Sequence, residues 1–264
     1  MAVRGKTEKA NRLYDDLSWL WPLWGTVDEY KRESELFARL VKRHSGIPVR
    51  TLLDITCGGG KNDFHFKRWF EVTGLDISKK MLALARKLNP ECAYVLGDMR
   101  GFDLGKQFDS VLMNDGIVYM ASEEDLIAAF RSAFRHLRTG GVLLAYVEAW
   151  KETFHRDQKG RKRGRAPAPY SWHNATRVSA GESGSTIITF VEHDYDPDRS
   201  DDSYESAHVY LIRKGGELRI EADVHTLGLF SIRFWRRALK MAGFEIVEED
   251  TFEDGLPIFV CRKP

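Results

Sequence analysis

The chain has 264 residues, 43% of them hydrophobic and 30% charged, and a net charge of +1. That length buries a real core as one large domain or two small ones, and the near-neutral balance argues against whole-surface attraction to nucleic acid or anionic lipid. Three cysteines, Cys57, Cys92 and Cys261, form no C-x-x-C pair, so they supply neither a disulfide framework nor a zinc site and suit a reducing cytoplasm.

The first residues lack the apolar centre of a secretory signal, and no apolar run approaches the roughly 18 residues that span a bilayer. A cytoplasmic protein without a membrane partner is the expectation. Apolar residues recur at helical spacing from Leu36 to Val41, and "RHSGIP" ends that helix. Short apolar runs at Thr51–Ile55, Glu71–Leu75, Ala93–Leu96, Ser110–Met113 and Gly141–Tyr146 predict buried strands. Between them "SKKMLALARKLN" and "SEEDLIAAFRSAFRHLRTGG" have helical patterns, the second running from an N-cap at Ser122 to a C-cap at Gly140. Strands alternating with amphipathic helices imply βαβ units and a largely parallel sheet. The segment "RDQKGRKRGR" (156–165) then carries six Lys/Arg in ten residues. Residues 171–225 hold alternating segments that predict antiparallel strands. A last helix, "SIRFWRRALKMAGF", leads into "EIVEEDTF" and "LPIFVCRK". The implied division is 1–150 for cap and core, 151–225 for an antiparallel insertion, and 226–264 for the elements that complete the sheet.

Ligands bind at the open end of a parallel sheet, where turns after the strands leave a crevice. There Asp54 ends the first strand and Cys57-Gly58-Gly59-Gly60 make a turn that lets backbone approach a ligand, with the N-terminus of the next helix beyond it. Asp76 ends the second strand, where an acid accepts hydrogen bonds from a ribose diol. A dinucleotide site would want G-x-G-x-x-G, but Asp63 stands at the third glycine position. A carboxylate sits badly beside a pyrophosphate; S-adenosylmethionine carries no phosphate.

"DITCGGG" resembles the first motif of the class I S-adenosylmethionine-dependent methyltransferases, D-x-G-C-G-x-G, with Thr56 where that family has glycine. "GLDIS", "LGDMRGF", "FDSVLMND" and "LRTGGVLLAYVE" resemble the family's later strand-end signatures, in order. The resemblance implies a Rossmann-like, mostly parallel seven-stranded α/β sheet with helices on both faces, an N-terminal helical cap and an antiparallel β insertion over the substrate end. It also implies roles. Gly58 and Gly60 bring backbone against the methionine part, lined by Asp54 and Cys57. Asp76, with Ile77 beside it, takes the ribose; Asp98 and Met99 take the adenine. Asn114 lies close to the sulfonium.

The N-terminal segment "LYDDLSWLWPLWGTVDEYKRESELFARLVKRHS" resembles a narrower group, glycine N-methyltransferase and the N,N-dimethyltransferases of nucleotide-linked amino sugars. In that group a Tyr and an Arg grip the cofactor from above, and Tyr14 and Arg32 occupy those places. The competing reading of Arg32 is a surface arginine. The stretch with "VH…LF" before the last helix resembles the amino-sugar enzymes too, except that Tyr119 aligns with their histidine near the methyl acceptor.

An amine acceptor must arrive neutral, so a base is useful. Tyr14, Tyr119, Glu148, His155 and His225 are candidates, Tyr119 as an acceptor-positioning group and Glu148 as a carboxylate for a cationic amine. His225 reads more readily as a structural histidine. Trp19, Trp21 and Trp24 read as cap and lid, and Trp150 and Trp172 as packing. No Ser/His/Asp signature or metal-ligand cluster stands out. The expected function is methylation of a small-molecule amine. The alternatives are an RNA or protein methyltransferase using 156–165, and a sensor that binds S-adenosylmethionine without turnover. A homodimer is left open.

Overall fold

The structure, a computed structural model, describes residues 11–147, 149–154, 176–183, 186–251 and 256–264, with 176–183 described as backbone. Period-two alternation decides which layer each strand side chain enters. In β1 (Thr51–Ile55), β4 (Phe108–Met113) and β5 (Leu137–Tyr146), one face carries Leu53, Val111, Met113, Leu143 and Ala145. The other carries Leu52, Leu112, Val142, Leu144 and Tyr146. These strands join β2 (Glu71–Asp76), β3 (Ala93–Leu96), β10 (Glu245–Thr251) and β11 (Pro257–Arg262) in one seven-stranded sheet, ordered β10-β11-β5-β4-β1-β2-β3. β11 runs antiparallel to both its neighbours; the pairings from β5 to β3 are parallel.

Helices cover both faces. α1 (Lys31–His44) buries Phe37, Ala38, Leu40 and Val41 on one side. α4 (Glu123–His136) and α5 (Ile232–Met241) bury Leu126, Phe130, Trp235 and Leu239 on the other. α2 (Asp63–Phe66) and α3 (Lys79–Leu88) follow β1 and β2. Each large apolar side chain so buried contributes about 1.5–3 kcal/mol. No helix among the described residues is long and apolar enough to cross a membrane.

A second, antiparallel sheet follows: β6 (Thr176–Ser183), β7 (Thr186–Tyr195), β8 (Ser203–Lys214) and β9 (Glu217–Gly228), paired in that order. The alternating pattern picked out β7, β8 and β9; β6 is an additional strand. Leu13, Leu17 and Leu20 of the N-terminal segment pack on Ile188, Phe190, Tyr210 and Ile212 of this sheet. The N-terminal cap is helical, as expected. It is three 3-10 turns, Arg12–Tyr14, Ser18–Leu23 with Pro22 inside, and Val27–Tyr30, leading into α1.

Ser122 caps α4 as expected, accepting from Asp125 N at 3.1 Å. Gly140 does not end that helix. Leu137 already turns extended, and Phe108 recruits it into β5. Gly140 instead bridges two loops: its carbonyl accepts from Gly46 N at 2.8 Å and its N–H donates to Lys263 O at 2.8 Å. The strand order reverses at β1, which lies between β2 and β4, so the crevice opens beyond Ile55 and Met113. Trp235 is fully buried against Phe130 and Phe230. Trp235→Ala is expected to cost about 3–5 kcal/mol in urea unfolding, with activity per folded molecule retained.

Candidate active site

The turn after β1 is bound to the end of β2. Thr56 N and Cys57 N both donate to Leu75 O, at 2.7 and 3.1 Å. Asp76 then closes the loop: Oδ2 accepts from Gly58 N at 2.9 Å and Oδ1 from Ser78 N at 2.7 Å. Burial raises the Asp76 carboxyl pKa, while these two N–H groups pull it back toward the charged form. At Gly60 a Cβ would stand 2.8 Å from Asn89 Nδ2 and 2.9 Å from the Tyr94 hydroxyl, so the close packing there needs glycine. The helix beyond the turn is only α2, four residues long. The expected anion-binding helix N-terminus is therefore not part of this site.

Beneath the turn lie two buried acids. Asp54 is 3% exposed and Asp63 0%. Tyr94 donates its hydroxyl to Asp63 Oδ2 at 3.0 Å. The two carboxyls are close enough for each to influence the other's proton affinity. Burial is the largest influence on both, raising Asp54 well above the carboxylate range and Asp63 to about 6. Cys57 is buried beside them; its Sγ would meet a Cβ on Gly74 at 2.7 Å.

Thr56 has φ 71°, a left-handed conformation unusual for a β-branched residue. Its Oγ1 donates to Asn114 O at 3.0 Å, which ties β1 to β4 at the switch point. Room for it comes from Gly116, where a Cβ would fall 2.5 Å from Thr56 Cβ. Asn114 in turn donates Nδ2 to Glu33 Oε1 at 2.8 Å, and Asn62 Nδ2 donates to the same oxygen at 2.8 Å.

Above the turn is a cavity of about 370 Å³. Its wall combines aromatic rings, among them Tyr14, Trp21, Trp24 and Tyr119, with the carboxylates of Glu29, Glu33, Asp115, Glu192 and Asp194. No Lys or Arg lines it among the described residues. Trp21 lies over the turn, where a Cβ on Gly59 would meet Nε1 at 2.4 Å. Lys61 fixes the cap from below, donating to Gly25 O at 3.1 Å and to Trp24 O. Burial lowers its pKa to about 8. Tyr14 and Tyr119 are hydrogen-bonded through their hydroxyls at 3.1 Å, and the Tyr119 oxygen is 2.7 Å from His225 Nδ1.

Arg32 is exposed and outside the cavity wall; one helical step of about 100° separates it from Glu33, which holds the inward position. Ile77 is 69% exposed beside Asp76, an apolar side chain at the crevice mouth. Asp98 is already bound by Arg100, whose Nε lies 3.0 Å from both carboxylate oxygens and holds the carboxyl pKa low. Met99 packs against the core. Trp19 is exposed on the surface, whereas Trp21 and Trp24 line the cavity. Glu148, His155, Trp172 and the basic run 156–165 lie outside the described residues.

Comparison with known proteins agrees with this architecture. Residues 52–141 match the family model described as a methyltransferase domain. The chain is 32% identical to dTDP-3-amino-3,6-dideoxy-alpha-D-glucopyranose N,N-dimethyltransferase of Streptomyces fradiae, over 84% of this chain and 80% of that one. It is 30% identical to dTDP-3-amino-3,4,6-trideoxy-alpha-D-glucopyranose N,N-dimethyltransferase of Streptomyces venezuelae, over 89% and 92%. The chain belongs to the S-adenosylmethionine-dependent methyltransferases. The crystal structure of Streptomyces venezuelae DesVI superposes with a TM-score of 0.76 at 26% identity, covering 97% of this methyltransferase and all of that chain.

Sequence reasoning missed Glu33, Gly116 and Asp223 in this methyltransferase. Asp223 alone had a readable signal, the alternation E-A-D-V-H that sends Glu221, Asp223 and His225 to one face of β9. Two outcomes are expected. Gly116→Ala destabilises by about 1–3 kcal/mol through the Thr56 contact, and most of that loss disappears in the Thr56→Gly background; urea unfolding of the four proteins measures the coupling. The second concerns pH. Asp63 has a folded-state pKa raised from 3.8 to about 6, so the folded state binds more protons and this acid's contribution to stability falls as pH rises through that window. Asp63→Asn should therefore gain stability relative to the wild type between these pH values and hold a constant difference above them.

Proposed function

We propose that this methyltransferase transfers a methyl group to the nitrogen of a small-molecule amine. The observation that carries the reading is the cavity. Its volume of about 370 Å³ suits a small ligand, and five carboxylates with aromatic walls attract a cationic amine. The relatives from S. fradiae and S. venezuelae are named for N,N-dimethylation of dTDP-linked amino sugars, which makes an amino sugar the first substrate class to test. The same reading has the enzyme working in the cytoplasm on a diffusible substrate. The alternative, an RNA or protein substrate gripped by 156–165, rests on residues outside those described.

The residues present fit S-adenosylmethionine. Asn114 is 7% exposed and its Oδ1 is buried without a partner among the described residues, an acceptor for an amino group. Asp76 keeps lone pairs for a ribose diol beyond the two N–H groups it already holds. Ile77 gives a flat base an apolar surface, and an Asp98 oxygen paired with Arg100 still accepts from an adenine amino group. When bound, the cofactor supplies a methyl group on a sulfonium, an electrophile with an excellent leaving group. The chain's own work is alignment and exclusion of water. Trp21 and Trp24 close the wall over the turn, Glu33 is aimed by two amides, and Tyr14 and Tyr119 present hydroxyls to the acceptor.

Incubating the purified enzyme with S-adenosylmethionine and a panel of amino sugars, simple amines and RNA should yield S-adenosylhomocysteine with an amine. Methylation of RNA alone would overturn the reading, and tight binding without turnover of any acceptor would favour a sensor. Asp76→Ala should weaken S-adenosylhomocysteine binding by at least about 10-fold in calorimetry, because it removes a charged acceptor and loosens the turn.

A further inference from the structure

An ammonium acceptor must lose a proton before its nitrogen can attack, and a line of side chains leads from the cavity wall into the protein behind Tyr119. The Tyr119 hydroxyl is 2.7 Å from His225 Nδ1. His225 Nε2 is 2.9 Å from Asp223 Oδ2. The same carboxylate oxygen accepts from Leu13 N at 2.9 Å. His225 is 0% exposed and Asp223 2% exposed, so neither exchanges protons with solvent directly. Tyr119 is half-buried on the cavity wall and is the member of the line that faces the acceptor.

We propose that Tyr119, His225 and Asp223 form a proton relay that neutralises the amine acceptor. The proposal rests on the amine-methylation reading. Tyr119 touches the acceptor; His225 and Asp223 are positioning residues that act through it. The ammonium N–H proton passes to the Tyr119 oxygen while the phenol's own proton passes to His225 Nδ1. The electron pair of the broken N–H bond stays on nitrogen as the attacking lone pair. The imidazole becomes an imidazolium, and the Asp223 carboxylate offsets its charge. After product leaves, the proton returns through Tyr119 to solvent, so the relay is restored without any other reactant.

The surroundings permit that charge. Facing His225 are Tyr14 from the cap, with ring centroids 5.8 Å apart, and His208 from β8 at 4.3 Å. Burial lowers the His208 pKa, and its Nδ1 lies 3.4 Å from the Tyr210 hydroxyl. A neutral His208 does not repel the imidazolium. Glu192 on β7 is 3.7 Å from His208 Nε2 and adds negative potential. Burial works to raise the Asp223 carboxyl, but the close His225 ring and the Leu13 N–H outweigh it and hold the group charged. Arg12 and Glu221 pair with each other at 2.7 Å at the far end of the row.

Two measurements decide the matter. Long-range proton–nitrogen NMR of histidine-labelled full-length protein with S-adenosylhomocysteine should find His225 protonated at Nε2, with Nδ1 accepting, and Tyr119→Phe should shift Nδ1 toward an unbonded value. A proton on Nδ1 would overturn the relay, since that nitrogen could not take another; this arm stands whether or not any amine is methylated. With an amine that turns over, Tyr119→Phe and His225→Gln should each lower kcat about 100-fold with KM little changed, and the double variant should be no slower than either single one. Asp223→Asn should lower kcat with KM little changed, because the imidazolium loses its counter-charge. A His225→Gln enzyme with lowered Tm but unchanged kcat would reduce the row to a strut. Unchanged S-adenosylhomocysteine binding certifies that each variant is folded, and Tyr119→Phe at the cavity wall carries the comparison if His225→Gln does not fold.

Discussion

The carboxylate of Asp76 is the point on which the site is built. Its two oxygens take the N–H of Gly58, from the turn after β1, and of Ser78, from the turn after β2. The two loops, already joined by the Thr56 and Cys57 N–H bonds to Leu75 O, are thereby held as one surface. Ser78 extends the connection upward, since its Oγ donates to Tyr14 O and also caps α3 by accepting from Met81 N at 3.1 Å. A single acid thus links sheet, helix and cap, and it does so where a parallel sheet leaves its crevice. Backbone N–H groups satisfied by a carboxylate at this depth are worth more than the same contacts in water, because the competing hydrogen bonds to solvent are absent.

The roof is held by a second set of polar contacts. The cap has no long helix to anchor it, and its 3-10 turns leave backbone groups to be satisfied elsewhere. Leu13 N finds Asp223, Arg12 finds Glu221 and the carbonyl of Ala222, and Lys61 reaches two cap carbonyls from the glycine turn. Leu13, Leu17 and Leu20 supply the apolar part of the same interface. The cavity is therefore bounded by the core below, the cap on one side and the antiparallel sheet on the other. The Tyr119–His225 contact crosses from core to sheet, so docking of that sheet and placement of the phenol are one event.

Much of this was legible in the sequence. β1 and β3 fall where their apolar runs end, and the glycine turn with Asp76 declares the ligand end of the sheet. Those features follow local rules of alternation, propensity and turn chemistry. What escaped has a different physical origin. β5 begins early because Phe108 pairs with Leu137, a contact between strands distant in sequence. Arg32 and Glu33 are adjacent in the chain, and only the rotation of α1 decides which faces inward. Gly116 resembles any loop glycine until Thr56 is seen beside it. His225 read as a structural residue because a lone buried histidine has no sequence signature for its partners, and Tyr119 lies 106 residues away.

Thr56 shows how such long-range terms can reverse a local one. A left-handed β-branched residue costs on the order of 1–3 kcal/mol, and the resemblance offers glycine at this position as the unstrained choice. Here the side chain returns a hydrogen bond to Asn114 O, and Gly116 gives up its side chain to make room. Asn114 is the residue whose amide aims Glu33 into the cavity. The strain at one turn is thus exchanged for a fixed position of the β4 loop, on which both the carboxylate and, five residues on, the Tyr119 hydroxyl depend. A backbone departure that looks like a defect in the motif is, in the folded chain, a brace for the acceptor side of the site.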